Sequence, residues 1–339
     1  MYSTEVLDTI TSVDPAEWDA LGTVGDFTGH RWLRLAERVL AGHRPRYLLL
    51  RRRGRLVAAA ACTLEQRLQN PALEARFGWV LRRTPYLHVG VPMMSKAGLL
   101  ARDLDEFAAL CRELRALTRR ERAPFSVIDH LPVGHPAWSG LDRCHALVMA
   151  PETRMDVAWS SFEEYLGSLP RKRRQEVRRV ARRSLGEGIT VRPLAERGDP
   201  RLDRLVGDVV RRHHGIHRFV PGLFQEAAAV LGDDLTVLAA YRNEELAGCV
   251  ALLRDGDDLS AKWIGRDYGL TEGTSAYHAL VAACVRTAIT LGVRRVQFGA
   301  SAYETKKQFG VCQEPRGRLL AMRSPILNRC VGWPLRRMS

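Results

Sequence analysis

Apolar positions along the chain recur at two spacings, and the order in which those spacings alternate predicts an α/β fold of two similar halves. In the first half, Asp14 is placed to cap a helix that has Pro15 at its first position. A second helix is predicted over 30–40. Residues 46–52 and 56–63 read as two strands joined by a turn at Arg53-Gly54, a hairpin signal. A further strand is predicted over 86–91. Leu104, Phe107, Ala108, Cys111, Leu114, Ala116 and Leu117 then stand near helical spacing, and a β-rich run over 125–129 follows them.

The second half repeats this order. A strand over 155–159 precedes a helix from Phe162, with Ser161 as its cap, and then a basic run over 171–183. A helix over 199–214 leads to strands over 235–241 and 247–253, and a third strand over 259–264 follows the turn Asp255-Gly256-Asp257-Asp258. An amphipathic helix over 275–291 and a strand over 293–298 close the unit. What repeats is element order and not sequence, and it places a boundary near Ala150, with domains at 1–150 and 151–339.

Composition narrows the class. With 339 residues, 46% of them hydrophobic, the chain can bury two cores of ordinary size. Its net charge of +14 attracts polyanions such as RNA, anionic lipid or phosphorylated substrates, although arginine so exceeds lysine that a GC-rich coding bias alone would supply much of the excess. Seven scattered cysteines form no CxxC pair, which points to a reducing, cytoplasmic compartment. The amino terminus lacks the basic flank and apolar core of a signal peptide. No apolar run approaches the roughly 18 residues needed to span a bilayer. Peripheral membrane contact through a basic face stays open.

Two segments carry the chemistry. In the first, Arg171, Arg174, Arg178 and Arg182 fall three or four apart on one helical stripe, while Leu166, Leu169, Val177, Val180 and Ala181 line another. Each guanidinium can take a phosphate bidentately, and together they form a salt-sensitive ridge. As a solvated face the same run would cost only about 0.2–0.5 kcal/mol per like-charged pair. The second segment follows the last strand, where α/β folds place ligands: Gln297-Phe298-Gly299, then Thr305-Lys306-Lys307-Gln308-Phe309-Gly310. A lysine in such a loop can neutralise a phosphate or a developing oxyanion. Tyr303 stands in the same loop, but its free pKa near 10 makes it a poor base without help. Glu304 and Glu314 are alternative bases.

These segments resemble the Fem-like aminoacyl and peptidyl transferases, a branch of the Gcn5-related acyltransferase (GNAT) superfamily. Fem-like enzymes open their second domain with a basic run that matches Lys172, Arg173, Val177 and Ala181, then a Gly and a strand as in Gly188-Ile189-Thr190-Val191. They close it with an apolar-Asp/Gln-Phe-Gly strand and a Phe-Lys-x-x-Phe-Gly segment, in which Lys306 matches the motif lysine and Thr305 departs from the aromatic. The resemblance implies two tandem GNAT-like domains, each a mixed, mostly antiparallel sheet flanked by helices. It also implies transfer of an amino acid from charged tRNA to an amine on a cell-wall precursor or small molecule. Lys306 and Tyr303 are then the candidate catalytic residues, and Arg171, Arg174, Arg178, Arg182, Arg266, Lys307 and Phe309 the candidate substrate-binding ones. No cofactor, no metal and a monomer are expected. The helical arm that some members insert between their halves is absent from the sequence pattern.

Coenzyme A is the alternative donor. Acyl-CoA enzymes of the superfamily cradle pyrophosphate on a Q/R-x-x-G-x-G/A loop at a helix amino terminus. Here Arg266 and Gly269 fit, but Thr271 replaces the second small residue and Glu272 stands before Gly273. Residues 91–98 of the first half do not fit either. A third reading is an RNA-binding or membrane-surface module on an inactive scaffold. His213 and His217 are four apart, yet Gly215 interrupts them and no further ligand follows. Asp129-His130 ends a strand of the first half and either orients an amine or forms a local hydrogen bond. Hydrolase, NTPase and dehydrogenase fingerprints are missing.

Overall fold

A computed structural model describes residues 2–22, 25, 27–68, 70–135, 137–140, 144–213 and 219–335, the last five by backbone alone. Strand β1 (Tyr2–Leu7) is followed by α1 (Pro15–Asp19), α2 (His30–Val39) and the hairpin β2 (Pro45–Arg52) and β3 (Arg55–Glu65). The Asp14 side chain caps α1 by accepting from Glu17 N. The hairpin turn works because Arg53 and Gly54 both take positive φ. Next come α3 (Pro71–Leu81), β4 (Tyr86–Val89), β5 (Leu99–Ala101), α4 (Leu104–Arg120), β6 (Phe125–Pro132), α5 (Ala137–Gly140) and β7 (His145–Val148). Helix α4 buries Phe107, Cys111, Leu114 and Leu117 of the predicted apolar face, and Leu110 besides, against strands β2, β3 and β6, whereas Leu104 of that face is exposed.

The chain continues with β8 (Glu152–Asp156), α6 (Phe162–Ser168), α7 (Arg171–Gly186), β9 (Ile189–Pro193), α8 (Pro200–Arg212) and α9 (Leu223–Leu231). A meander of β10 (Leu235–Arg242), β11 (Glu245–Asp255) and β12 (Asp258–Arg266) follows. Then come α10 (Tyr268–Thr271), α11 (Ala276–Thr290), β13 (Arg295–Gln297), α12 (Tyr303–Gln308), β14 (Cys312–Glu314), β15 (Arg316–Met322) and α13 (Pro325–Leu335).

Two sheets result, each with its own apolar core. The first runs β1-β2-β3-β4-β6-β15-β7, with β5 added on β3, and the second runs β14-β8-β13-β12-β11-β10-β9. Each is mostly antiparallel and flanked by helices, the expected class. Among the described residues each holds one parallel pair, β4 with β6 and β12 with β13. The chain divides into two compact units, one holding β1 to β7 with β15 and α13, the other β8 to β14.

The carboxyl terminus corrects the expected second domain of 151–339. Strand β15 lies between β6 and β7 in the first sheet, Leu319 opposite Ile128 and Ala146. Its buried Leu319 joins the first core with Leu131 and Ile128. Among the described residues no helix is long and apolar enough to cross a membrane.

Candidate active site at the split of a parallel strand pair

Strands β12 and β13 share only three paired positions, Asp258 to Ser260 against Arg295 to Gln297. Beyond Ser260, β12 runs on to Arg266 while the other chain leaves its strand at Phe298, so the pair splits at its carboxyl end. A bulge marks the β12 side, where the register with β11 shifts and Trp263 takes φ 49°. Backbone groups of Phe298 and Gly299 lose their ladder partners at such a split and must find others.

Lys306 supplies them. Its Nζ donates to the carbonyls of Phe298 (2.6 Å) and Gly299 (3.0 Å), and Thr153 Oγ1 donates to Gly299 as well. Two of the three ammonium N–H groups are thereby used, and the side chain is only 1% exposed. Burial pushes its pKa down to about 8, Glu152 opposing that fall and Lys262 adding to it. The segment expected as a loop is the short helix α12, and its turn separates the two lysines. Lys306 points inward, whereas Lys307 is exposed.

Helical spacing also turns Phe309 inward, where it joins the apolar core and its carbonyl accepts from Tyr165 OH at 2.9 Å. The assignment of Phe309 to substrate is corrected: a side chain buried among Leu169, Val311 and Tyr165 packs the core. Tyr303 donates its hydroxyl to the Pro151 carbonyl at 2.9 Å. Its pKa is raised, chiefly by burial and further by Glu152, so the structure makes it a poorer base still. Glu304 is exposed, and Glu314 pairs with Arg154 at 3.3 Å.

Glu152 did not stand out in the sequence. It begins β8, three residues ahead of the strand predicted there, and it is buried with neither carboxylate oxygen hydrogen-bonded among the described residues. Only strand pairing brings it beside the split, because Phe298 N donates to Thr153 O.

The loop after β12 holds its own residues. Arg266 donates to Thr271 Oγ1 (3.2 Å) and to Thr271 O (3.0 Å) and lies over the Tyr268 ring. Asp267 caps α10. At the start of α11, where a diphosphate would meet backbone N–H groups, Ser275 N donates to Glu187 Oε2 at 2.7 Å. Burial works against the Glu187 carboxylate, but Ser275 N–H and Arg183 hold its pKa below the ordinary value. Arg266, expected to bind substrate, is thus engaged within its own turn, and a carboxylate fills the anion position beside it.

Helix α7 turns Val177, Val180 and Ser184 to the core. Of the predicted ridge, Arg178 pairs with Glu163 at 3.2 Å and Arg174 donates to the Gly167 carbonyl at 3.3 Å. Arg171 and Arg182 are exposed and have no partner among the described residues. Ala181, assigned to the apolar stripe, is exposed. A groove of about 840 Å³ runs between α6, α7, β9 and α11, lined by Leu166, Val177, Val180 and Ile189 with Arg178 and Arg182 at its rim. None of its lining residues belongs to the split.

In the first unit the corresponding parallel pair carries a different polar set. His88 Nε2 lies 3.1 Å from Asp129 Oδ2, and Arg318 binds both Asp129 oxygens. Burial alone would raise the Asp129 carboxyl, but hydrogen bonds from His88 and Arg318 hold it well below the carboxylate range. His213 lies 3.1 Å from Tyr268 OH, and residues 214–217 of the histidine segment lie outside the described residues.

Residues 171–307 match the acetyltransferase (GNAT) domain family. A search of curated protein sequences returned no match. Among solved structures, FemX superposes with a TM-score of 0.63 at 13% identity, over 97% of this chain and 100% of that one. L-PGS from Bacillus licheniformis gives 0.55 at 14% identity, over 96% and 97%. A tandem GNAT protein from the clavulanic acid biosynthesis pathway gives 0.53 at 14%, over 96% and 99%. At these identities the likeness is one of fold. Residues 171–307 of the second unit thus carry the match to the acetyltransferase (GNAT) domain family, and the chain as a whole shares the fold of FemX and the tandem GNAT protein.

Proposed function

We propose that this protein is an aminoacyltransferase of the Fem-like kind, moving an amino acid from its ester on tRNA to an amine acceptor. The observation that carries the reading is Lys306: a buried ammonium fixed on two carbonyls at the strand split, with one N–H left for a substrate oxygen. The acceptor nitrogen attacks the ester carbonyl carbon, and the C=O electron pair moves to oxygen, where the lysine charge stabilises it. Collapse breaks the bond to the ribose oxygen, which leaves as the tRNA hydroxyl after taking a proton. No covalent enzyme intermediate is needed, since the ester is already activated and the protein positions it. Arg171 and Arg182 offer exposed charge for a phosphate backbone, in keeping with the net charge of +14.

A second reading, acyl transfer from a thioester of coenzyme A, is favoured by the description of the matched family. Glu187, which ends α7 and lays its carboxylate on the start of α11, speaks against it, because a carboxylate held there repels a diphosphate. Incubating the protein with charged total tRNA or with acetyl-CoA, each with a mixture of primary amines, decides between them. Amide formation from charged tRNA that ribonuclease abolishes is expected. Product from acetyl-CoA alone would replace the first reading with the second.

A further inference from the structure

Glu152 is 4% exposed, and among the described residues neither of its oxygens has a hydrogen-bond partner. A buried carboxylate left so is unfavourable unless a ligand completes it. Its neighbours along β8 are all tied to the site. Pro151 O receives Tyr303 OH, Thr153 O receives Phe298 N, and Thr153 Oγ1 reaches the same Gly299 carbonyl that Lys306 holds. Lys306 and Glu152 feel each other's charge and Lys262 acts on Lys306, while Lys306 already spends two donors on backbone. Glu314 stands directly opposite on β14 but is drawn to Arg154. A donor of several N–H groups with positive charge would satisfy both oxygens and the charge together.

We propose that Glu152 is the subsite for the acceptor's primary ammonium group and the base that takes its first proton. This rests on the transfer reading above for the chemistry, though not for the binding. The ammonium gives one proton to the Glu152 carboxylate and becomes the free amine. On attack its nitrogen loses a second proton to the departing ribose oxygen, the carbonyl–ribose bond breaks, and the carbonyl–nitrogen bond forms. Glu152 then returns its proton to solvent as product leaves. Thr153, next to Glu152 on β8, and Lys306 both hold the Gly299 carbonyl, which ties the base and the oxyanion donor to one backbone group.

The test has two arms, both using the full chain and Glu152→Gln, which keeps the side chain's shape and removes its charge. In the first, melting temperatures are compared in propylammonium chloride and in sodium chloride of equal ionic strength. The wild type should melt higher with propylammonium, and the variant should show no difference between the salts; identical behaviour of the two proteins would overturn the subsite whatever the donor. In the second, Glu152→Gln should lose about 100-fold or more in kcat/KM for the amine with unchanged affinity for charged tRNA. Equal kcat/KM in wild type and variant would overturn the proton transfer. Should the wild type itself leave charged tRNA untouched, the transfer reading fails, and the salt comparison still decides the ammonium subsite. Because the free carboxylate is unsatisfied, Glu152→Gln should also melt no lower than wild type in sodium chloride; a marked fall would make Glu152 a structural partner of Lys306 instead.

Discussion

A lysine that is 1% exposed and bonded to two carbonyls can serve as a structural staple or as a charge for the reaction, and Lys306 has features of both. The two roles separate by measurement. Lys306→Ala should lower kcat by about 10²–10³, the range for loss of one oxyanion donor, with little change in tRNA affinity. A purely structural lysine would change melting temperature and leave stability-corrected turnover intact. Titration gives the second handle. The folded pKa of about 8 lies below the ordinary 10.5, so between those values the unfolded chain holds more proton than the folded one. Stability contributed by this residue therefore rises with pH across that window by up to about 1.4 kcal/mol per pH unit, and its burial cost is fullest below about 8. Denaturant unfolding of wild type and Lys306→Met between those limits should show the slope only in the wild type. Turnover should fall over the same range as the cation is lost. Which lysine faced inward was illegible in the sequence, because a stretch read as a loop has no period to assign faces; once 303–308 is helical, Lys306 and Phe309 fall together and Lys307 opposite.

Helix α7 was legible as an element, since Pro170 and the glycines beyond it fix its ends and Val177 and Val180 its buried face. What the helix could not disclose was which arginines stay open. Glu163, fifteen residues upstream of Arg178, reaches it only through the packing of α6 beside α7. The even ridge of four thus becomes two guanidinium groups with partners and two without any among the described residues. Replacing Arg171 and Arg182 together by Ala should lower the slope of log affinity for tRNA against log salt by roughly 1.4–1.8, about 0.7–0.9 per lost phosphate contact. Replacing Arg174 and Arg178 should change it less. Filter binding across a salt series reads both, and equal slopes in all three proteins would remove α7 from the tRNA surface.

At the level of the whole molecule, the repeat of element order disclosed two sheets, because helices and hairpins are local patterns. Strands β1 and β15 escaped notice for the opposite reason: each is fixed by a partner far along the chain. Tyr2 pairs with Arg52, while Met322 pairs with Phe125 across almost two hundred residues. The second of these matters more, since β15 is interior to the first sheet and its removal would leave β6 and β7 without a common neighbour. A chain so connected cannot complete its first unit until its last strand has been made. Leu319→Ala, at a buried position of β15, should therefore destabilise the first unit by about 2–5 kcal/mol, the usual range for such a truncation. Native-state hydrogen exchange locates the effect. Amides of β6, among them Val127 and Ile128, should lose protection, while those of β11 in the second sheet keep theirs. Equal loss in both sheets would mean that the two units unfold as one, and loss confined to β11 would contradict the pairing itself.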